Sequence, residues 1–317
     1  MRKRLLAGLF GAALAATAVA QERTIRLICG FAPGGSADFV SRLVAEGVSP
    51  HIGARVAVEN RTGVNGVLGA AEVARSAPDG NSVYQCPMST LAITPQLVGA
   101  NLPLDPGAEL APIANVAMSS YGFVVAANGP YKSVQDVIAA ARARPGTVSF
   151  GSAGVGSAQH LAGELLKQKA GVEMTHIPYR GATPSIIDII GGRTDFMITN
   201  LGDAAGRIQD GNLRLLALAD DTPSPVFPNV PPLSRLYPGF DVVGWFAICG
   251  PKGMAPAVVE RWTGAIRQAM QDPTFLRRLI DNGLTPRFED ATALGARIAR
   301  DRQQWQGVIR SVNVRAE

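Results

Sequence analysis

A glycine-rich loop near the start of the chain has the residue types of an anion-binding site. Residues 31–38 read FAPGGSAD and lie between an apolar stretch, TIRLICG, and an amphipathic one, FVSRLVAEGVSP. If these form a strand and a helix, the loop lies at the carboxyl edge of a sheet, where helix N-termini offer unpaired N–H groups. Gly34 and Gly35 let the backbone approach a carboxylate closely, and Ser36 or Asp38 is placed to cap the helix. We predict an anion-binding loop, with a plain tight turn as the alternative.

Three further segments follow predicted strands in the same way. Residues 151–157 read GSAGVGS and open a helix, residues 179–184 read YRGATP, and Ser89 and Thr90 follow a strand that ends at Cys86. The first segment lacks the G-x-G-x-x-G spacing of dinucleotide sites and the lysine of a phosphate-binding loop. A structural turn stays the alternative for residues 151–157 and a surface turn for Ser89 and Thr90. For Arg180 the alternative is a solvated or ion-paired side chain.

The candidate catalytic residues do not form a recognisable set. His160 and Glu164 have a spacing that suits metal ligation on a helix, but no HExxH motif or further His or Cys cluster completes a site. We predict packing and capping roles for them. There is no G-x-S-x-G motif, and His51 and His176 lie in unrelated contexts. The sequence therefore predicts no catalytic residue, no metal and no cofactor, and the protein is expected not to be an enzyme.

The first twenty residues are typical of a secretory signal. A basic start (RKR), an apolar stretch at 5–16 and a small-residue site, Ala18-Val19-Ala20, predict a mature chain from Gln21. The apolar stretch is too short to span a bilayer, so we predict a periplasmic protein, with an uncleaved anchor as the alternative. Three basic charges leave with the leader, and the net charge of +5 falls to +2. Without a basic cluster among aromatic residues, nucleic acid is excluded as a partner.

The three cysteines indicate little chemistry. Cys29, Cys86 and Cys249 have no CxxC spacing, and their odd number leaves at least one thiol free. We expect them to be buried and unreactive. A disulfide stays open because each cysteine ends a predicted strand, but spacing alone does not identify a pair.

The order of the predicted elements indicates an α/β protein with βαβ units. The mature chain is longer than one compact core usually holds, so we expect two lobes. Apolar segments at 113–128 and 240–251 are long enough to cross between them, and the proline-rich segment 222–233 is expected on the surface. The C-terminal helices are expected to pack back on the first lobe. This places the signal at 1–20, lobe 1 at 21–120 and 245–317, and lobe 2 at 121–244.

Together these segments resemble the substrate-binding proteins of tripartite tricarboxylate transporters, the Bug or TctC-like family. The resemblance runs through the whole chain and rests on the order of RLICGFAPGGSADFVSRLVAE, VAVENRTGVNGVLGAAEVARSAPDG, VSFGSAGVGSAQHLAGELLKQKAGV, THIPYRGATPSIIDIIGGRTDFM and GFDVVGWFAICGPKG. It implies a two-lobe periplasmic-binding-protein (Venus flytrap) fold. Each lobe is then a mixed sheet flanked by helices, two crossing strands join the lobes, and the cleft closes on a small carboxylate.

The resemblance also assigns ligand contacts by position, in one set from each lobe. The first set is Phe31, Pro33, Gly34, Gly35, Ala37, Asp38, Ser89 and Thr90. The second set is Ser152, Ala153, Gly156, Ser157, His160, Tyr179, Gly181, Ala182, Pro184, Thr199 and Asn200. Backbone groups and waters of the first loop are expected to hold the ligand carboxylate.

Departures from the family pattern bear on the ligand. Gly30 stands where proline is frequent, Arg180 where lysine is usual, and Thr199 where aspartate is common. Because a ligand ammonium needs a counter-charge, the loss of the acid at Thr199 disfavours an amino acid. We therefore expect a plain carboxylic acid, either an aliphatic di- or tricarboxylate or an aromatic acid.

The resemblance implies that the protein, as a monomer, delivers this ligand to the membrane permease of a tripartite tricarboxylate transporter. One alternative keeps the binding fold but presents the liganded form to a membrane sensor kinase. The other is a nucleotide-dependent α/β enzyme in which Glu59 contacts a ribose. The glycine spacing and the export signal argue against the enzyme.

Overall fold

The computed structural model describes residues 24–97, 99–312 and 314–315, so the predicted signal lies outside the described residues. The strands are β1 (Thr24–Cys29), β2 (Arg55–Asn60), β3 (Ser82–Pro87), β4 (Leu110–Ala126), β5 (Ser149–Ser152), β6 (Thr175–Pro178), β7 (Phe196–Asn200), β8 (Leu213–Leu218), β9 (Val243–Pro251) and β10 (Thr285–Glu289). The helices are α1 (Ser36–Ile52), α2 (Val67–Ala74), α3 (Pro106–Glu109), α4 (Val134–Ala143), α5 (Ala158–Ala170), α6 (Ala182–Ile190), α7 (Leu201–Gln209), α8 (Pro256–Ala269), α9 (Pro273–Asp281) and α10 (Ala291–Val312).

The strands form a curled mixed sheet in the order β2-β1-β3-β9-β4-β7-β5-β6, and β8 and β10 also pair with β4. The long strand β4 joins the two halves: it pairs with β9 and β10 over its first part and with β7 and β8 over its last part. This confirms the predicted two-lobe α/β fold and the first crossing strand. The lobe boundaries at 120 and 245 stay a prediction.

The return crossing is shorter than the apolar segment 240–251 suggests. Strand β9 begins at Val243 and pairs with β3 and the first part of β4. Just before it, the Val242 N–H donates to the Ala219 carbonyl, so the chain leaves the second lobe there. Trp245 and Phe246 are the third and fourth residues of β9, and both line the cavity between the lobes.

Helix α1 shows how the first lobe is built. Its apolar residues recur at helical spacing, and Val40, Leu43, Val44 and Val48 are buried against β1 and the tryptophan of α8, Trp262. Each such side chain contributes about 1.5–3 kcal/mol when it is fully buried. The helix ends at Gly53, which adopts the left-handed conformation usual after a C-terminus. The start of α1 is therefore held in place by the lobe's own core.

Some elements were not predicted. Helix α7 has few apolar residues, the β10 strand is half exposed at an edge, and Ser89 and Thr90 lie in a π-helical turn, Ser89–Ile93, rather than a surface turn. The C-terminal helices α8 and α9 pack on α1 as expected, but α10 also contacts α5 of the second lobe. None of the helices in the described ranges is long and apolar enough to cross a membrane.

The cysteines differ in state. Cys86 and Cys249 form a disulfide between the adjacent strands β3 and β9, with a Cα–Cα distance of 5.9 Å. The disulfide that the sequence left open therefore forms between these two cysteines, which only the strand order brings together. Cys29 is buried and free, and burial raises the pKa of its thiol to about 11. Its thiol is therefore protonated at neutral pH and unreactive, as predicted.

Candidate functional site

A cavity lies between the loop after β1, the crossing strands and the first turns of α6 and α7. The empty space among its lining residues is about 470 Å³, part of which is open to solvent. Its lining residues come from both lobes: Phe31, Ala32, Gly35, Ser36, Ala37, Pro87, Met88, Ser89, Tyr121, Ala153, Gln159, Ala182, Asn200, Asp203, Trp245 and Phe246.

The predicted ligand residues divide into two groups by their position. Those in the cavity lining are Phe31, Gly35, Ala37, Ser89, Ala153, Ala182 and Asn200. Those outside it are Pro33, Gly34, Asp38, Thr90, Ser152, Gly156, Ser157, His160, Tyr179, Gly181, Pro184 and Thr199. The ligand contacts of the first group stay predictions, and most of the second group make identifiable contacts within the protein.

Asp38 holds the first loop together. Its carboxylate accepts hydrogen bonds from the Gly34 N–H at 3.0 Å, from Arg42 at 2.9 and 3.0 Å, and from Asn60 at 2.9 Å. Burial alone would raise the pKa of Asp38, but the bonds from Arg42, Asn60 and Gly34 outweigh it and lower the pKa. Gly34 has a φ of 89°, a conformation that favours glycine. The Asp38 carboxylate is thus committed to its own lobe.

The N-terminus of α1 is occupied by a residue from the other lobe. The N-cap is Gly35, without a side-chain cap bond, so the prediction that Ser36 or Asp38 caps the helix is wrong. Instead, the Ser36 N–H and hydroxyl both donate to Asp203 Oδ1 at 2.7 Å. A carboxylate at this position is stabilised by the unpaired N–H groups and the helix dipole. The internal carboxylate of Asp203 therefore lies at the helix end where a ligand anion was predicted, and the binding of a ligand there stays a prediction.

Asp203 lies at the start of α7, one turn after the end of β7. Its second oxygen, Oδ2, accepts hydrogen bonds from the Thr199 hydroxyl and from Asn200 Nδ2, the latter at 3.3 Å. Thr199 therefore contacts the cavity through Asp203, since its own side chain is fully buried. Across the same cleft, the Thr183 hydroxyl donates to the Pro33 carbonyl at 3.2 Å. These contacts join the two lobes around the cavity.

The loop at 151–157 is organised by a histidine pair. The rings of His160 and His176 stack with centroids 3.7 Å apart, so the expectation that His176 lies in an unrelated context is wrong. Ser152 Oγ hydrogen-bonds His176 Nε2 at 2.6 Å, and the Gly156 N–H donates to His160 Nδ1 at 3.2 Å. Burial lowers the pKa of His160 to about 3 and that of His176 to about 4. Both rings are therefore neutral, and Ser157 caps α5 through the His160 N–H.

The loop at 179–184 has a structural role as well. The Tyr179 hydroxyl bonds Asp188 at 2.8 Å and Thr194 at 2.9 Å. Arg180 is exposed and lines, with Tyr179, a second and more open cavity of about 990 Å³ that shares Phe31 with the first. The loop therefore lines the second cavity with Tyr179 and Arg180 and reaches the first cavity at Ala182.

Thr90 and Glu59, for which ligand contacts were predicted, make contacts with other residues of the protein. The Thr90 hydroxyl donates to the Asn65 carbonyl at 2.9 Å and supports the neighbouring loop. Glu59, the ribose contact of the enzyme alternative, is ion-paired with Arg26 and Arg61, each at 2.8 Å. Its carboxylate is therefore held within a surface ion-pair cluster.

Sequence reasoning missed several lining residues. These are Ala32, Ser36 as a wall residue, Pro87, Met88, Tyr121, Gln159, Asp203, Trp245 and Phe246. A signal existed for some of them: Tyr121, Trp245 and Phe246 belong to the segments predicted to cross between the lobes. Asp203 follows a predicted strand, as Asp38 does, and the rule applied to the first loop would also have indicated it.

Comparison with known proteins agrees with this architecture. Residues 40–314 match the family described as the tripartite tricarboxylate transporter family receptor. The protein BugT of Bordetella pertussis is 34% identical over 298 residues, which cover 92% of this chain and 90% of BugT. The solved structure of R. palustris Rpa4515 with adipate has a TM-score of 0.89 at 26% identity, and that of the periplasmic binding protein BugD has 0.86 at 28%. Each covers 93% of this chain and 99% of its own. The chain therefore belongs to the tripartite tricarboxylate transporter receptor family, whose members are periplasmic solute-binding proteins and not enzymes.

Proposed function

We propose that this protein captures a small carboxylate between its lobes and delivers it to the membrane permease of a tripartite tricarboxylate transporter. The observation that carries the proposal is the cavity at the N-terminus of α1, closed from the other side by α6 and α7. The relative Rpa4515, described with adipate, supports a carboxylate as the ligand. We further propose that it acts in the periplasm and as a monomer, since a closing cleft needs no second copy.

The chemistry of the cavity supports this proposal. The first turn of α1 contains N–H groups without an intrahelical partner, and Ala37 of this turn and Ser89 are in the lining. Micromolar affinity requires about 8 kcal/mol, or roughly 0.8 kcal/mol per atom for a ligand of about ten heavy atoms, below the ceiling of about 1.5. A cleft that excludes water on closing strengthens each polar contact.

The binding step is tested by isothermal titration of the mature protein with succinate, glutarate, adipate, citrate, benzoate and amino acids. Ala182 is buried in the cavity wall, whereas Ala139 is exposed on α4. We expect Ala182→Phe to fill the cavity and abolish binding, and Ala139→Phe to bind like the wild type. Unchanged binding by Ala182→Phe, in a protein of normal melting temperature, would remove this cavity from the proposal.

The delivery step is tested by uptake into membrane vesicles that contain a tripartite tricarboxylate permease. We expect uptake of the bound carboxylate to require the purified receptor and to fail with the Ala182→Phe variant. Uptake at the same rate without the receptor would contradict delivery and would favour the sensing alternative.

A further inference from the structure

The charge of Asp203 has no cationic partner. All four groups that donate to its carboxylate are neutral: the Ser36 N–H, the Ser36 hydroxyl, the Thr199 hydroxyl and the Asn200 amide. Within the described ranges, no Lys, Arg or His nitrogen lies within 4.0 Å of its oxygens. The closed cavity therefore presents a negative charge to whatever occupies it.

Among the described residues that line the cavity, Asp203 is the only charged one, and aromatic rings are frequent. Asn200 is 6% exposed, and because its Nδ2 faces Asp203, its Oδ1 stays without a partner. Burial, and to a smaller extent the charge of Asp203, raises the pKa of the Tyr121 hydroxyl, which lies in the same lining. Four aromatic residues complete the lining, and aromatic faces attract cations: Phe31, Tyr121, Trp245 and Phe246.

A plain carboxylate fits this wall poorly. The Ser36 N–H, the group at the end of α1 that an anion would take, already donates to Asp203. A ligand carboxylate must therefore bind beside it, at the neighbouring N–H of Ala37 or at Ser89, both in the lining. Two carboxylates at adjacent positions in a site that excludes water repel each other strongly. A cationic nitrogen between them removes this repulsion.

We propose that Asp203 selects ligands that carry a cationic nitrogen beside the carboxylate, so that the receptor prefers zwitterions, amino acids foremost, to plain carboxylic acids. The proposal rests on the proposed function, since it assumes that this cavity holds the carboxylate. The nitrogen binds at Asp203 Oδ2, where the bond from Asn200 is the longest of the four, at 3.3 Å. Asp203 thus supplies the counter-charge for a ligand ammonium that Thr199 cannot provide.

The test uses ligands in matched pairs that differ only by the amino group. Titration calorimetry of the mature protein compares aspartate with succinate, glutamate with glutarate, 2-aminoadipate with adipate, and phenylalanine with 3-phenylpropionate. For the pair that binds, we expect the amino-bearing member to bind about 10- to 100-fold more tightly, as befits a hydrogen bond to a charged group. In Asp203→Asn this ratio is expected to fall to about one.

The ratio separates selection from a merely structural role. If Asp203 only held the lobes together, Asp203→Asn would weaken both members of a pair equally and leave their ratio unchanged. Asp210→Asn removes an exposed negative charge at the other end of α7 and is expected to keep the wild-type ratio. The melting temperature of each unliganded variant verifies that it is folded.

The outcomes distinguish this proposal from the proposed function. Tighter binding of the plain acid by the wild type, binding of plain acids alone, or an unchanged ratio in Asp203→Asn would overturn the role of Asp203 while leaving a carboxylate receptor. Binding of neither series would instead contradict the proposed function. Loss of the ratio in Asp203→Asn, with the Asp210→Asn control intact, supports the proposal.

Discussion

Two aspartates lie near the same end of helix α1, and they differ in what compensates their charge. Asp38, which is 4% exposed, is ion-paired with Arg42 of its own helix and accepts a hydrogen bond from Asn60 of the next strand. Asp203 reaches the helix from the other lobe and receives bonds from neutral groups only. A compensated charge stabilises its own lobe, whereas the charge of Asp203 lies between the lobes, where we propose that the ligand binds. The presence or absence of a cationic partner, rather than the residue type, therefore distinguishes Asp38 from Asp203.

The largest expected effect is on stability, and it separates the two aspartates. Asp38→Ala removes the acceptor of Arg42, Asn60 and the Gly34 N–H, and we expect it to lower the free energy of unfolding by about 2–3 kcal/mol. Asp203→Ala breaks contacts between lobes and is expected to cost about 1 kcal/mol. Urea unfolding of the unliganded variants measures both. Equal losses would mean that Asp203 is as much a part of the fold as Asp38 is.

The dependence of stability on pH separates Asp38 from the histidine pair. Burial holds the pKa of His160 at about 3 and that of His176 at about 4, against about 6.5 in the unfolded chain. Because the unfolded chain then binds more protons, stability is lost as the pH falls from about 6.5 towards these values. The depressed pKa of Asp38 gives a second loss, which begins only near its ordinary value of about 3.9.

Urea unfolding between pH 7 and pH 5 checks this order. His176→Phe keeps an aromatic ring beside His160 and is expected to lose less stability over this interval than the wild type. Asp38→Asn, although less stable throughout, is expected to keep the wild-type slope there. A slope that is unchanged in His176→Phe would show that other groups carry the acid sensitivity.

The smallest expected effect concerns the contact between the two regions. Ser36→Ala removes one of the two bonds from Ser36 to Asp203 and keeps the N–H. We expect affinity to fall about fivefold, or roughly 1 kcal/mol, without a change in the ratio between matched ligands. Ser41→Ala is the control, because its hydroxyl donates to the Ala37 carbonyl inside α1 and lies outside the cavity lining. A changed affinity ratio in Ser36→Ala would show that Ser36, as well as Asp203, contributes to the selection of the ligand.

The sequence by itself determined the α/β alternation, the crossing strand β4 and the glycine-rich loop at the start of α1. These depend on local patterns: apolar runs for strands, helical spacing for α1, and glycines where the backbone turns. The loop prediction placed an anion at the correct helix end because N–H groups without a partner occur at every helix N-terminus. The same local reasoning missed α7, which is short and has mostly small and polar residues.

Only the tertiary structure decided what lies at that helix end. Ser36 and Asp203 are 167 residues apart, and Cys86 and Cys249 are 163 apart, so no spacing rule connects either pair. Strand order joins the cysteines, and the approach of the lobes joins Ser36 to Asp203. Thr199 alone suggested that the cavity has no acidic side chain. Asp203, four residues later at the start of α7, places a carboxylate in the cavity lining and accepts a hydrogen bond from Thr199. Charge compensation is a property of neighbours in space, and therefore the folded chain was needed to distinguish the two aspartates.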